Sequence, residues 1–151
     1  MGWFGRKRSI DRFRQLLRAR VVIARSALPA PVVSYDVSAG TWRLAATYGY
    51  LDDPYRITVP DQYAFDLASV PRPFWWLIAP FELSIAAPLI HDFLYRYQGK
   101  PPGRAVDPPR TYSRRETDLL FRTIMTQEGV PAWRRAAAYR AVRWLGAAGW
   151  G

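Results

Sequence analysis

The sequence predicts an α+β fold: a basic N-terminal helix, a small antiparallel β-meander, then three helices packed on the sheet. Three observations lead there. Apolar residues recur at helical spacing between Ile10 and Ala24. β-Branched and aromatic residues cluster between Val32 and Val59. Beyond Pro60, apolar segments of helical length are separated by proline- and glycine-rich breaks. A chain of 151 residues that is 50% apolar suits one hydrophobic core. Residues 1–30 therefore read as a basic amphipathic segment and residues 31–151 as a single α+β domain.

The elements follow in order. Ser9 and Asp11 can cap a first helix whose stripe is Ile10, Phe13, Leu16, Leu17, Val21 and Ala24, ending near Ala27 before Pro29 and Pro31. Strands are expected over residues 32–37, 41–48 and 55–59, with Ser38-Ala39-Gly40 and Leu51-Asp52-Asp53-Pro54 as turns. A helix is expected from Ser84, as N-cap, to Tyr97, with Pro88 as a kink. Glycines 99 and 103 with prolines 101, 102, 108 and 109 then make a loop. Ser113 and Glu116 have capping-box spacing for a helix to Gln127, which Gly129 stops. Pro131 suits the first position of a last helix running through Trp144.

Twenty-two basic residues against twelve acidic give a net charge of +10. Residues 1–25 hold eight of the basic residues and Asp11 alone, a net of +7, so the remainder carries only +3. Such a run suits phosphates, of nucleic acid or anionic lipid, or an acidic partner, and no base-reading motif accompanies it. The absence of cysteine excludes a disulfide framework, thiolate metal sites and thiol enzymes. Val21 to Ala24 is too short for a signal peptide, and Glu82, Pro80 and Pro88 interrupt the longest apolar run, so neither a signal peptide nor a transmembrane segment is expected.

The chain has one histidine, His91, followed by Asp92 and, one helical turn on, Tyr95. Imidazole supplies a base near neutral pH or a nitrogen ligand, and the adjacent carboxylate a hard oxygen ligand. A packed, hydrogen-bonded histidine is the competing reading. Asp66 lies in the apolar run Phe65 to Pro71, where a carboxylate needs donors, a metal or a turn to cap. Asp118 either favours a helix dipole from the first turn or joins the same site.

Three segments occur in a telling order: Phe65-Asp66-Leu67-Ala68-Ser69-Val70-Pro71, Leu89-Ile90-His91-Asp92-Phe93-Leu94-Tyr95, and Arg115-Glu116-Thr117-Asp118-Leu119-Leu120-Phe121. They resemble the motifs of the bacteriophage- and prophage-associated domain of unknown function 1353 family, and the resemblance extends over about residues 32–146. It implies a phage or prophage setting, in the host cytoplasm or the virion, and no particular activity. It places Asp66, His91, Asp92 and Asp118 on motif positions. Ala64, Leu67 and Thr117 depart from the usual residues without removing an acid or the histidine, and the basic N-terminal segment lies outside the resemblance.

Two functions are expected from these residues. One is a metal-assisted hydrolase: His91 as general base or ligand, Asp92 and Asp118 holding a divalent cation, and Asp66 orienting His91 or completing the shell. The other is a non-enzymatic virion or assembly component, of tail or head-neck, that contacts phage structural proteins and uses the Asp–His cluster as a structural polar network. In that reading Trp133, Arg134, Arg135, Arg140, Arg143 and Trp144 make the C-terminal helix an interaction surface. Trp133 with Arg134, Arg135 and Arg143 could also track a nucleic-acid strand.

Overall fold

The computed structural model describes residues 28–65 and 85–150. The expected N-terminal helix, Asp66 and the Ser84 cap lie outside the described residues. Within them the fold is α+β, with two three-stranded antiparallel sheets and three helices.

The first sheet has the order β1-β2-β5, from Val33–Asp36, Thr41–Leu44 and Ala64–Phe65. Its hairpin closes where Asp36 accepts hydrogen bonds from the Ser38 amide (3.0 Å), the Ser38 hydroxyl (2.6 Å) and the Ala39 amide (3.1 Å). An aspartate side chain that mimics a backbone turn in this way sets the register, pairing Asp36 with Thr41 and Val33 with Leu44. The second sheet has the order β3-β4-β6, from Tyr48–Asp52, Tyr55–Val59 and Val106–Asp107. The expected meander is thus divided between two sheets. Its middle strand breaks after Leu44, and Leu51 and Asp52, expected in a turn, belong to β3 and pair with Arg56 and Tyr55. Two-residue alternation accounts for this, since Tyr48 and Tyr50 are buried while Leu51 faces out.

Helix α1, Ala86–Arg96, is the centre of the molecule. Leu89, Ile90, Phe93 and Leu94 are at most 1% exposed and pack with Leu44, Ile57, Val59 and Phe65 of the sheets. Burial of each such side chain contributes about 1.5–3 kcal/mol before entropy is charged. Pro88 falls in the first turn, where its missing N–H would have had no intrahelical partner.

The helix ends in a Schellman-type turn: Gln98 N–H reaches Tyr95 O (3.0 Å) and Gly99 N–H reaches Leu94 O (2.8 Å). Gly99, at φ +73°, lies so close to Tyr112 that a Cβ would sit 1.7 Å from its carbonyl oxygen. Glycine is required there by both conformation and space.

Helix α2, Arg114–Gln127, begins at the expected capping box. The Ser113 hydroxyl accepts from Glu116 N–H (3.2 Å), and the Glu116 carboxylate accepts from Ser113 N–H (2.8 Å). It ends where Gly129 N–H bonds Thr126 O and Val130 N–H bonds Met125 O, with Gly129 at φ +77°. Helix α3, Ala132–Leu145, follows, with Pro131 at the cap position, one residue before the position expected.

The helices layer outward in chain order. Helix α1 meets both sheets, α2 packs on α1, and α3 packs on α2. Only Ala138 of α3 is fully buried. A short 3₁₀ turn, Ala148–Trp150, folds back onto α1. Among the described residues, no helix is long and apolar enough to cross a membrane.

Candidate functional site

On α1, His91 and Tyr95 stand one turn apart and lie ring to ring, their centroids 4.1 Å apart. Phe121 of α2 covers His91 from the other side at 4.9 Å. Between the helices sits Asp118, whose side chain is 0% exposed. Its burial comes from its place in the second turn of α2, on the side that faces α1 with Phe121.

A carboxylate without solvent needs donors for its lone pairs, and three contacts surround this one. His91 Nε2 lies 2.9 Å and Tyr95 Oη 2.5 Å from Oδ1, while Arg143 Nη1 of α3 lies 2.8 Å from Oδ2. Arg114 supports the group from behind, donating through Nε to Tyr95 Oη (3.4 Å) and through a terminal nitrogen to the Arg143 carbonyl.

Burial pushes the Asp118 carboxyl upward, but the hydrogen bonds from His91, Tyr95 and Arg143 outweigh it and hold the group below the usual range. An ionised Asp118 only accepts, so the nitrogen facing it, Nε2, carries the proton. Nδ1 is then the ring nitrogen left to act as base or ligand. Burial, and next the bond to Asp118, push the Tyr95 hydroxyl up to about 12, so it stays protonated and donating. Arg143, bonded to Asp118, is raised further.

His91 opens on a cleft of about 600 Å³. One side is polar, formed by His91, Asp92, Tyr95 and Arg96. The other is built from Ala141, Val142 and Leu145 of α3 and from Gly146, Ala148 and Gly149 beyond it. Trp150 packs edge-on against Tyr95 at 5.0 Å and closes the end of the network. Gly146 must be small, because a Cβ there would lie 2.6 Å from Tyr95 Oη.

The structure brings His91 and Asp118 together across 27 positions of sequence. Asp92 shares the cleft wall with His91 but turns about 100° away from it, as adjacent helical residues must. It accepts from Tyr63 Oη (2.8 Å) and has Arg96 at 3.8 Å. Burial, and next the charge of Asp92, push the Tyr63 hydroxyl upward. Asp66 lies outside the described residues. Among the described residues, no group of three or more histidine, aspartate or glutamate side chains is arranged to hold a metal ion.

Of the expected interaction residues, Trp133 is 57% exposed and carries the Arg134 guanidinium over its ring at 5.2 Å. Arg135 donates to the Val130 carbonyl (2.7 Å). Arg143, expected on a surface, is committed to Asp118. Sequence reasoning missed Arg143, Arg114, Tyr63 and Trp150 as members of the site. Only Tyr63 carried a hint, as an aromatic residue just before the Phe65 motif.

A family described as a protein of unknown function, DUF1353, matches residues 42–142, about two thirds of the chain. No curated protein and no solved structure matches.

Proposed function

The chain belongs to the DUF1353 family, whose function is unknown, and we propose its activity from the geometry of the site: hydrolysis, with His91 as general base. The carrying observation is the buried, ionised Asp118 bonded to Nε2 of a histidine that opens on a cleft. A carboxylate so placed fixes ring orientation and tautomer and stabilises the imidazolium that forms during catalysis. Nδ1 takes a proton from water as its oxygen attacks the substrate. The bond to the leaving group breaks, and the same proton passes to that group.

Both oxygens of Asp118 already accept protein donors, which favours it as the orienting residue over a cation ligand. A histidine held by a carboxylate through one nitrogen is also the usual support of a metal ligand. A divalent cation, if bound, would be held by His91 Nδ1 and Asp92, with Asp66, which lies outside the described residues, as the further ligand expected from the sequence, and would supply Lewis-acid polarisation of water. The phage or prophage setting, in the host cytoplasm or the virion, is part of the proposal and rests on the motif resemblance.

The test is hydrolysis of carboxylic and phosphoric nitrophenyl esters, with and without Mg²⁺, Mn²⁺, Ca²⁺ and Zn²⁺. Turnover that falls about 10²–10⁴-fold in His91→Gln, with the fold retained, supports the reading. Turnover unchanged in that variant, or absent with every substrate, overturns it.

A second reading has its own observation. Asp118 of α2 ties His91 and Tyr95 of α1 to Arg143 of α3, so the cluster clamps all three helices. Trp144, 85% exposed on α3, adds an aromatic anchor facing outward. In a virion or assembly component, His91→Gln and Trp144→Ala would lower stability or partner binding with no activity to lose.

A further inference from the structure

The charges that line the cleft decide what it can hold. Among the described residues, the charged groups lining the cleft are Asp92 and Arg96, 3.8 Å apart and opposite in sign. The Arg96 guanidinium also lies over the Tyr63 ring at 4.7 Å. Behind His91, the charge of Asp118 is met by Arg143 at 2.8 Å. A phosphodiester or phosphomonoester needs several cationic donors or backbone amides directed at it, and this lining provides one guanidinium already turned to a carboxylate.

The facing wall is apolar along its length. Ala141, Val142 and Leu145 present methyl groups, and Gly146, Ala148 and Gly149 leave room in front of them. Leu145 is 46% exposed there. A cleft polar on one side and apolar on the other, with no net charge from its Asp92–Arg96 pair, suits an uncharged polar bond attached to a hydrocarbon chain.

We infer that the cleft between α1 and the α3–3₁₀ segment binds the apolar acyl chain of a carboxylic ester or amide, placing a neutral carbonyl beside His91. This rests on the hydrolase reading and names its substrate class. The Asp92–Arg96 side accepts the carbonyl end, while Val142, Leu145 and Ala148 cover the chain.

Binding can be measured apart from turnover. Straight-chain amides from butanamide to octanamide, and inorganic phosphate, are titrated into the full-length protein and followed by amide NMR shifts. Each added methylene is expected to tighten binding about 2–4-fold, with shifts at Val142, Leu145, Ala148 and Gly149. Phosphate should leave those resonances unmoved. Ala148→Phe, at an exposed position, should fill the cleft and weaken octanamide at least about ten-fold. Gly149→Val is the second variant, because a Cβ there meets only Tyr95 Cδ1 at an ordinary 3.7 Å.

An affinity independent of chain length, phosphate binding at these residues, or no effect of either variant overturns the inference. Octanamide binding without His91-dependent hydrolysis sustains this cleft and fails the hydrolase. His91-dependent cleavage of a phosphodiester without octanamide binding does the reverse.

Discussion

Asp118→Asn tests the central network with a change of one atom. Asparagine keeps one acceptor and replaces the other by a donor. If its oxygen stays with His91 and Tyr95, its amide N–H₂ faces Arg143 Nη1, which stands 2.8 Å from the oxygen it replaces. The charge-assisted bond to Arg143 is lost, about 1.5–3 kcal/mol, and the new amide is left as a buried donor without an acceptor, about 1–3 kcal/mol more. Because the Arg143 side chain is a third exposed and can turn to water, a total of about 3–4 kcal/mol is expected. A chain of this size loses about 2–4 °C in Tm per kcal/mol, so a fall of about 10–15 °C is expected in a calorimetric scan at pH 7.

Double-mutant analysis with Arg143→Ala should show the two losses to be strongly non-additive. The sole histidine makes a second readout clean: ¹⁵N shifts of His91 should report the Nε2–H tautomer in the wild type. A Tm within about 3 °C of wild type, or an Nδ1–H tautomer, would refute the account. The pH dependence has a definite sign. The folded-state pKa of Asp118 is depressed, so its contribution is full above the unfolded carboxylate value and is lost as pH falls below about 4 through the folded value.

Glu128 should behave in the opposite sense. Burial raises its carboxyl from 4.5 to about 7, and one of its oxygens has no hydrogen-bond partner. Its ionisation therefore costs stability as pH rises from about 4.5 through about 7, a penalty of about 2 kcal/mol once solvent screening is allowed for. Glu128→Gln should gain about 4–8 °C in Tm at pH 8 and little at pH 4; an equal gain at both would contradict it. Gly99→Ala forces a Cβ into the Tyr112 carbonyl at positive φ and should cost at least about 3 kcal/mol in urea unfolding. Ser113→Ala removes one half of the capping box and should cost about 1 kcal/mol by the same assay.

Local chemistry carried much of this architecture into the sequence. Ser113 and Glu116 announce the start of α2, Gly129 its end, and Gly99 the turn after α1, because each acts on backbone groups a few residues away. The strand boundaries were harder. Leu51-Asp52-Asp53-Pro54 has the composition of a turn, yet only Asp53 and Pro54 make it. Asp52 is held in β3, where it accepts from Tyr112 Oη at 2.8 Å and Arg110 at 3.4 Å, sixty and fifty-eight positions away. The site shows the same limit. His91 and Asp118 each announced themselves as candidates, one as the sole imidazole and the other as an acid on a motif position. Their hydrogen bond, and the part of Arg143 in it, arise only when three helices meet.

Helix α3 covers one wall of the cleft while burying a single residue fully. What fastens it is largely polar: Arg143 to Asp118, Arg114 to the Arg143 carbonyl, and Arg135 to Val130. An element held by so little apolar area opens at a lower free energy than the core it covers. Amide protons of α3 should therefore exchange with solvent well before those of α1, seven of whose eleven residues are buried. Exchange of the α3 amides should then quicken as pH falls below about 4 and Asp118 loses its charge, which couples the freedom of this cleft wall to the ionic state of the aspartate it is fastened to.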